Sequence, residues 1–250
     1  MDLQAAILDM FNDMDEAFGE VTFELQDDIE SLVRSFIVRF DAIFTLNQDL
    51  LLERHYLDGN VEFSSFRPWD GWKIPGMKRK AATLSGLSNP NLDIWVPDDA
   101  SFDVGSRLQP YFKLHGSSNW VDAASDGIVV LGGNKSSIIN RFPILKWNHD
   151  QFSAYLSKPK TRLMVIGYSF DDNHINKLIA YAALAGNLQI FVVDPHGVDV
   201  IDKNRDALMR SPDRLAKDLW PHVIGASKRS LGAIFGADRA EHRKVMRFFS

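Results

Sequence analysis

The apolar positions along the chain fall into two kinds of pattern. Leu3, Ile7, Phe11, Met14 and Phe18 recur at helical spacing with acids between them, which predicts a helix over 3–18. Leu25, Ile29, Leu32, Val33, Phe36, Ile37 and Phe40 make a wide apolar face, which predicts a second helix over about 22–40. Short unbroken apolar runs follow: DAIFTLN (41–47), YFKL (111–114), GIVVL (127–131), RLMVIGYS (162–169) and LQIFVVDP (188–195). Runs of this length between turn-forming residues predict buried strands. LLLERHYL (50–57) reads as the start of a helix.

The plainest stretch lies near the C-terminus. DDNHINKLIAYAALAG (171–186) sits between two of the apolar runs. It predicts a helix with an Asp cap at its start and Gly186 at its end. Strand, helix and strand together have the length of a parallel βαβ unit. Strands apolar on both faces imply a doubly wound, mostly parallel α/β sheet of the Rossmann-like kind. Residues 57–110, with FRPWDGWKIPGMKRK and SNPNLDIWVPDD, are rich in Pro, Gly, Asp and Trp and read as a loop-rich insertion. The whole chain, 1–250, is read as a single domain. It has an acidic helical segment (1–40), the insertion (57–110) and a C-terminal helical extension (201–250), in which AEHRKVMRFF is amphipathic.

Composition narrows the class. With 45% apolar and 24% charged residues, the chain is globular and not disordered. No apolar run reaches the ~18 residues of a membrane span, and MDLQAAILDM has neither part of a secretory leader. There are no cysteines, which removes disulfides, thiolate nucleophiles and cysteine zinc sites and is compatible with a reducing cytoplasm. The net charge of -5 is uneven: residues 1–30 hold ten acids and no base, and the remaining 220 residues carry 23 acids and 28 bases. A body at +5 suits an anionic small molecule and does not argue for nucleic acid.

In a doubly wound sheet a ligand lies beyond the carboxyl ends of the strands. Four predicted strand ends carry small or polar groups: Thr45 to Asp49, His115-Gly116-Ser117, Gly167-Tyr168-Ser169, and Asp194. A fold of this class is expected to bring them to one edge. Gly167 would let a phosphate approach the backbone, and Ser169 could donate to it. Asp194 could accept from ribose hydroxyls. Asn47 and His115 lie off any apolar stripe and are expected at the surface. Gly132-Gly133-Asn134-Lys135 departs from the phosphate-loop pattern and, with no convincing helix after it, reads as a turn. No metal site is expected, since the histidines are scattered.

Together these segments resemble the sirtuin-like NAD-binding family, and within it the bacterial branch outside the zinc-dependent deacylases. FTLNQDLLLE resembles the branch's T-x-N-x-D segment, FKLHGSSNW its K-L-H-G-S-x-x-W segment, and MVIGYSFDDNHIN its I-G-Y-S-F-x-D-x-H-I segment. FVVDP stands where the family has its nucleotide-ribose strand. The resemblance implies NAD as substrate and no zinc. It implies His115 as the catalytic base, Asn47 to orient water or the ribose, and Asp49 to contact the nicotinamide carboxamide. Thr45 and Gly116 belong to the same cofactor-binding set, with Gly167 and Ser169 for phosphate and ribose and Asp194 for the adenosine ribose.

The implied activity is an NAD glycohydrolase that releases nicotinamide and ADP-ribose, acting as an NAD-depleting effector in antiphage defence. The implied partners are NAD or ADP-ribose and a defence-system protein or a second copy of the chain, with no membrane. A nucleotide-sensing or scaffold subunit without turnover is the alternative, and a protein deacylase the third. The family's Gly-Ala-Gly-x-Ser turn, which holds the pyrophosphate, has no counterpart before Asn47, where Gly19 is the single glycine. Supplying an upstream strand with such a turn is expected to strengthen NAD binding.

Overall fold

The computed structural model describes residues 6, 9–11, 13, 14, 17, 27–54, 70–80, 94–105, 107–186, 188–206 and 212–250, with the backbone alone for 27–31. Leu3, Ile7, Phe18, Leu25 and Trp69, and the insertion segments 57–69 and 81–93, lie outside the described residues. Contacts divide the chain into two compact units, residues 1–149 and 150–250.

The first unit contains helix α1 (Asp27–Ile37) and strands β1 (Ile43–Thr45), β2 (Trp72–Lys73), β3 (Met77–Lys80), β4 (Ile94–Pro97), β5 (Gln109–Lys113), β6 (Gly116–Val121) and β7 (Gly127–Val129). Helix α2 (Lys135–Arg141) follows, and helix α3 (Pro143–Leu156) runs across the boundary. The second unit holds β8 (Thr161–Ile166), α4 (Asn173–Leu184), β9 (Leu188–Val193), α5 (Arg214–Leu219), β10 (Val223–Ser227), α6 (Leu231–Phe235) and α7 (Arg239–Met246).

In the first unit β5 is the middle strand of a parallel sheet ordered β1-β5-β2. Every residue of β5 is buried, as expected of a strand packed on both faces. Phe112 stacks on Phe44 of β1 at 4.7 Å and 10°. On its other face β5 carries Gln109, Tyr111 and Lys113. Gln109 Nε2 donates to the carbonyls of Ile37 and Phe40, both at 2.8 Å, and so ties down the chain leaving α1. Trp72, from the insertion, packs edge-on against Tyr111. A mixed sheet ordered β3-β4-β6-β7 completes the unit, with Trp95 paired to the fully buried Trp120.

In the second unit β8, α4 and β9 form the expected parallel strand-helix-strand. Their register runs from Thr161 opposite Leu188 to Ile166 opposite Val193. Ile175, Ile179, Ala182 and Ala183 give α4 its buried stripe. Gly186, at φ +81, ends it in the left-handed conformation that glycine adopts without strain. Val245 and Phe248 of the C-terminal segment are buried, and Phe248 meets Phe191 of β9 edge-on. The amphipathic helix at the end of the chain therefore docks on its own unit.

Several expectations change. The GIVVL strand is β7, and it pairs antiparallel with β6, a strand whose polar start, GSSN, hides it from pattern reading. A helix does follow Gly132-Gly133-Asn134: α2, continued after Phe142 by α3. Asp172 stands at the N-cap of α4, yet its side chain makes no capping bond. The 201–250 segment, expected to be helical, also contributes β10, parallel to β9. Within the insertion, residues 72–73, 77–80 and 94–97 are strands. Parallel strands with helices between them make the fold α/β and Rossmann-like, as expected.

Gly116 shows why small residues stand where they do. It lies at φ +79, and a Cβ there would come within 1.9 Å of the Ile128 carbonyl oxygen. Gly132 has the same φ with open space around it. Gly132→Ala is therefore expected to cost about 1–2 kcal/mol, the penalty of a left-handed non-glycine residue. Gly116→Ala is expected to cost more than about 3 kcal/mol, because β6 and β7 must also part. Urea unfolding of both variants checks this; equal losses would contradict it.

Candidate functional site

The carboxyl ends of β1 and β5 lie side by side, Thr45 opposite Lys113. The Leu114 N–H extends the pairing to the Thr45 carbonyl at 2.9 Å. Beyond β1 the chain turns at once: Thr45 Oγ1 accepts the Asn47 N–H at 3.0 Å. The Gln48 carbonyl accepts from the Ser118 N–H at 2.8 Å, and Gln48 Nε2 donates to the Val130 carbonyl at 2.9 Å. Asp49 Oδ1 accepts the Leu51 N–H at 3.0 Å and caps the helical turn of residues 51–54. The 47–49 segment is thus fixed at both ends, while the Asn47 side chain stays exposed.

His115 follows β5 and is 4% exposed. This corrects the expectation of a surface histidine: the residues around it are small or polar, but they are themselves packed. Its carbonyl accepts from the Val130 N–H at 2.9 Å. Just before it, Asn148 Nδ2 donates to the Lys113 carbonyl, and His149 Nε2 lies 3.0 Å from the Leu114 carbonyl. Residues Asn148 and His149 of helix α3 thus hold the end of β5. Enclosed in this way, the imidazole is held in place at the strand end.

Lys113 and Glu53 were not singled out by the sequence. Lys113 Nζ is fully buried and lies 2.7 Å from Glu53 Oε1 and 2.5 Å from the Asp49 carbonyl. The Tyr111 hydroxyl donates to Glu53 Oε2 at 3.2 Å. Burial, and then the Glu53 carboxylate, push the Tyr111 phenol well above its ordinary range. A lysine inside the apolar run YFKL was the one available signal, since a strand can bury a cation only against a partner.

The second unit holds the other three candidates. Gly167, at φ +61, follows β8 with open space where a Cβ would be. Its N–H donates to the Val193 carbonyl at 3.0 Å. Ser169 is exposed. The loop is held from within: Asn176 Nδ2 donates to the Phe170 carbonyl at 2.6 Å, and the Tyr168 hydroxyl donates to Asn176 Oδ1 at 2.8 Å. Phe170, fully buried, is forced to φ +58, a conformation costly for a bulky residue and typical of ligand loops. Burial, and then Asp172, raise the Tyr168 phenol far above its ordinary value, so it remains a donor.

Asp194, after β9, accepts the His196 N–H on Oδ1 at 2.8 Å, with His196 Nδ1 at 3.1 Å from the same oxygen. One carboxylate oxygen therefore serves its own turn. Past the ends of β9 and β10 a cavity of about 360 Å³ is lined by Gly197, Lys228, Arg229, Lys244 and Glu241 among others, and its three cations are paired with Asp199, Asp238 and Glu241. The Asp194 N–H donates to the Ser227 carbonyl at 3.0 Å and joins the ends of β9 and β10.

Thr45, Asn47, Asp49, His115 and Gly116 thus gather on the first unit, and Gly167, Ser169 and Asp194 on the second. Residues 41–212, more than half of the chain, match the family model described as SIR2-like domain. The chain belongs to the SIR2-like family. Its function is accordingly NAD-related in general terms, because SIR2-like domains use NAD. All eight candidate residues of this SIR2-like domain lie inside the matched range, whereas β10 lies outside it and still completes the sheet. A search of curated proteins finds no match. The SIR2-like chain has no cysteine and hence no cysteine-based zinc site. Among the described residues, no helix is long and apolar enough to cross a membrane.

The different burial of the two central residues has a measurable consequence. Asn47→Ala, at an exposed position, is expected to change stability by no more than about 0.5 kcal/mol, whereas His115→Ala empties a packed position and is expected to cost about 1–3 kcal/mol. Thermal unfolding of both variants checks the order, and equal melting temperatures would contradict it.

Proposed function

We propose that the protein is an NAD glycohydrolase, cleaving NAD to nicotinamide and ADP-ribose as an NAD-depleting effector in antiphage defence. The observation that supports this most is the pairing of an enclosed His115 with an exposed Asn47 after two adjacent parallel strands. In the reaction the bond between ribose C1′ and the nicotinamide nitrogen breaks. Its electron pair goes to the pyridinium, which leaves as neutral nicotinamide. Water adds to the electron-poor C1′ and gives its proton to the His115 imidazole. The Asn47 carboxamide orients that water or the ribose, and Asp49 holds the nicotinamide carboxamide.

Gly167 and Ser169 take phosphate and ribose, and the second oxygen of Asp194 takes the adenosine ribose. Thr45 and Gly116 belong to the same cofactor-binding set, the Thr45 hydroxyl also fixing the Asn47 N–H and Gly116 turning the chain after His115. The reading assigns the protein to the cytoplasm, with a defence-system protein or a second copy of the chain as partner.

Incubation with NAD tests the reading through free nicotinamide. The protein is expected to release it without any peptide, which a strict deacylase would not do. His115→Ala is expected to slow release by ~10²–10⁴-fold, the usual worth of a positioned base. Wild-type release by a folded His115→Ala protein would sink the mechanism. ADP-ribose at ten times its Kd is expected to add about 1.4 kcal/mol of stability. That shift without nicotinamide release would turn the reading to a nucleotide sensor or scaffold subunit.

A further inference from the structure

We propose that Lys113 is a positioning residue that sets the 47–49 segment against His115, with Glu53 as its buried counterion. The proposal rests on the glycohydrolase reading for its effect on turnover, though its geometry stands on the first unit alone. Lys113 is 0% exposed at the side chain and Glu53 14%. An ion pair this deep is a poor source of stability, because desolvation offsets the attraction and apolar replacements are often as stable. What the pair does provide is register.

One ammonium reaches both ends of a single helical turn: the Asp49 carbonyl at 2.5 Å and the Glu53 carboxylate at 2.7 Å. The carboxylate of the same Asp49 caps the Leu51 N–H. Lys113 therefore fixes the peptide that follows Asp49, and with it the direction of the Asp49 side chain. Tyr111, two residues earlier on the same face of β5, holds the second oxygen of Glu53, so the carboxylate cannot swing away. Two residues later the same strand leads to His115. The backbone pairing that ends with the Leu114 N–H on the Thr45 carbonyl fixes the start of the segment bearing Asn47, and the Lys113 side chain fixes its far end, at Asp49.

The test is the neutral pair Lys113→Met/Glu53→Gln, which removes both charges and leaves Tyr111 an acceptor. If the ion pair served stability alone, this variant, once folded, would turn over like the wild type. Positioning predicts a folded protein whose ADP-ribose melting shift persists. Its kcat for nicotinamide release falls by about 10–100-fold with KM within about threefold, the signature of misplaced rather than missing groups. Amide exchange of Leu51 is expected to quicken by about tenfold as its cap loosens, with Ile190 in β9 unchanged.

Wild-type kcat in the folded variant, or an unchanged Leu51 exchange rate, would overturn the proposal. Should the wild type itself release no nicotinamide, the glycohydrolase reading falls, and the Leu51 exchange rate still decides the positioning. Should the double variant not fold, Glu53→Gln alone is expected to quicken Leu51 exchange by about threefold through the weakened clamp, and no change would again overturn it.

Discussion

A strand buried on both faces that nonetheless carries polar side chains must find each of them a partner, and β5 is under that constraint at three alternate positions. Gln109 meets it through Nε2 alone, on the carbonyls at the end of α1, while its buried Oε1 accepts no hydrogen bond among the described residues; Tyr111 meets it with Glu53, and Lys113 with Glu53 and the Asp49 carbonyl. The partners belong to two other stretches of chain, the end of α1 and the 49–53 turn, so satisfying β5 ties both to it. An unpaired polar group there would cost a good part of a domain's net stability. The Lys113 contact holds Asp49 beyond β1, where Thr45 holds the Asn47 N–H, beside the strand that leads to His115.

The backbone around His115 is as closely determined as its side-chain surroundings. The carbonyls of Lys113 and Leu114 are met by Asn148 and His149 of α3. The His115 carbonyl goes to Val130, and the chain can turn there only because Gly116 leaves room for Ile128. The second unit reaches comparable rigidity by other means. Its loop after β8 is pinned by Asn176 and Tyr168, with Phe170 held in a left-handed conformation, and Asp194 is locked into its own turn. Candidate groups on both units therefore sit on strand ends and short, internally bonded loops, the arrangement that keeps reacting groups in place.

Much of this was legible in the sequence, for a simple reason. Unbroken apolar runs such as LQIFVV must be buried wherever they occur, so β1, β5, β8 and β9 could be recognised without knowing what covers them. The strand-helix-strand of residues 161–193 could be recognised because its helix and strands are neighbours in sequence, and the N-x-D, H-G-S and G-Y-S segments because they are local strings of residues.

What tertiary structure alone decided concerns groups whose state depends on distant partners. β6 begins with GSSN, yet it is a strand flanked by β4 and β7, with Ser117 buried and Ser118 and Asn119 half-buried. β10 is a strand because β9 offers it an edge. His115 is enclosed although its sequence neighbours are small and polar. Lys113 falls in a strand the sequence predicts, but the partner that lets it be buried there, Glu53, lies sixty residues away. A hydrophobic residue is buried by its own chemistry, and a charged one only by the chemistry of what the fold brings to it.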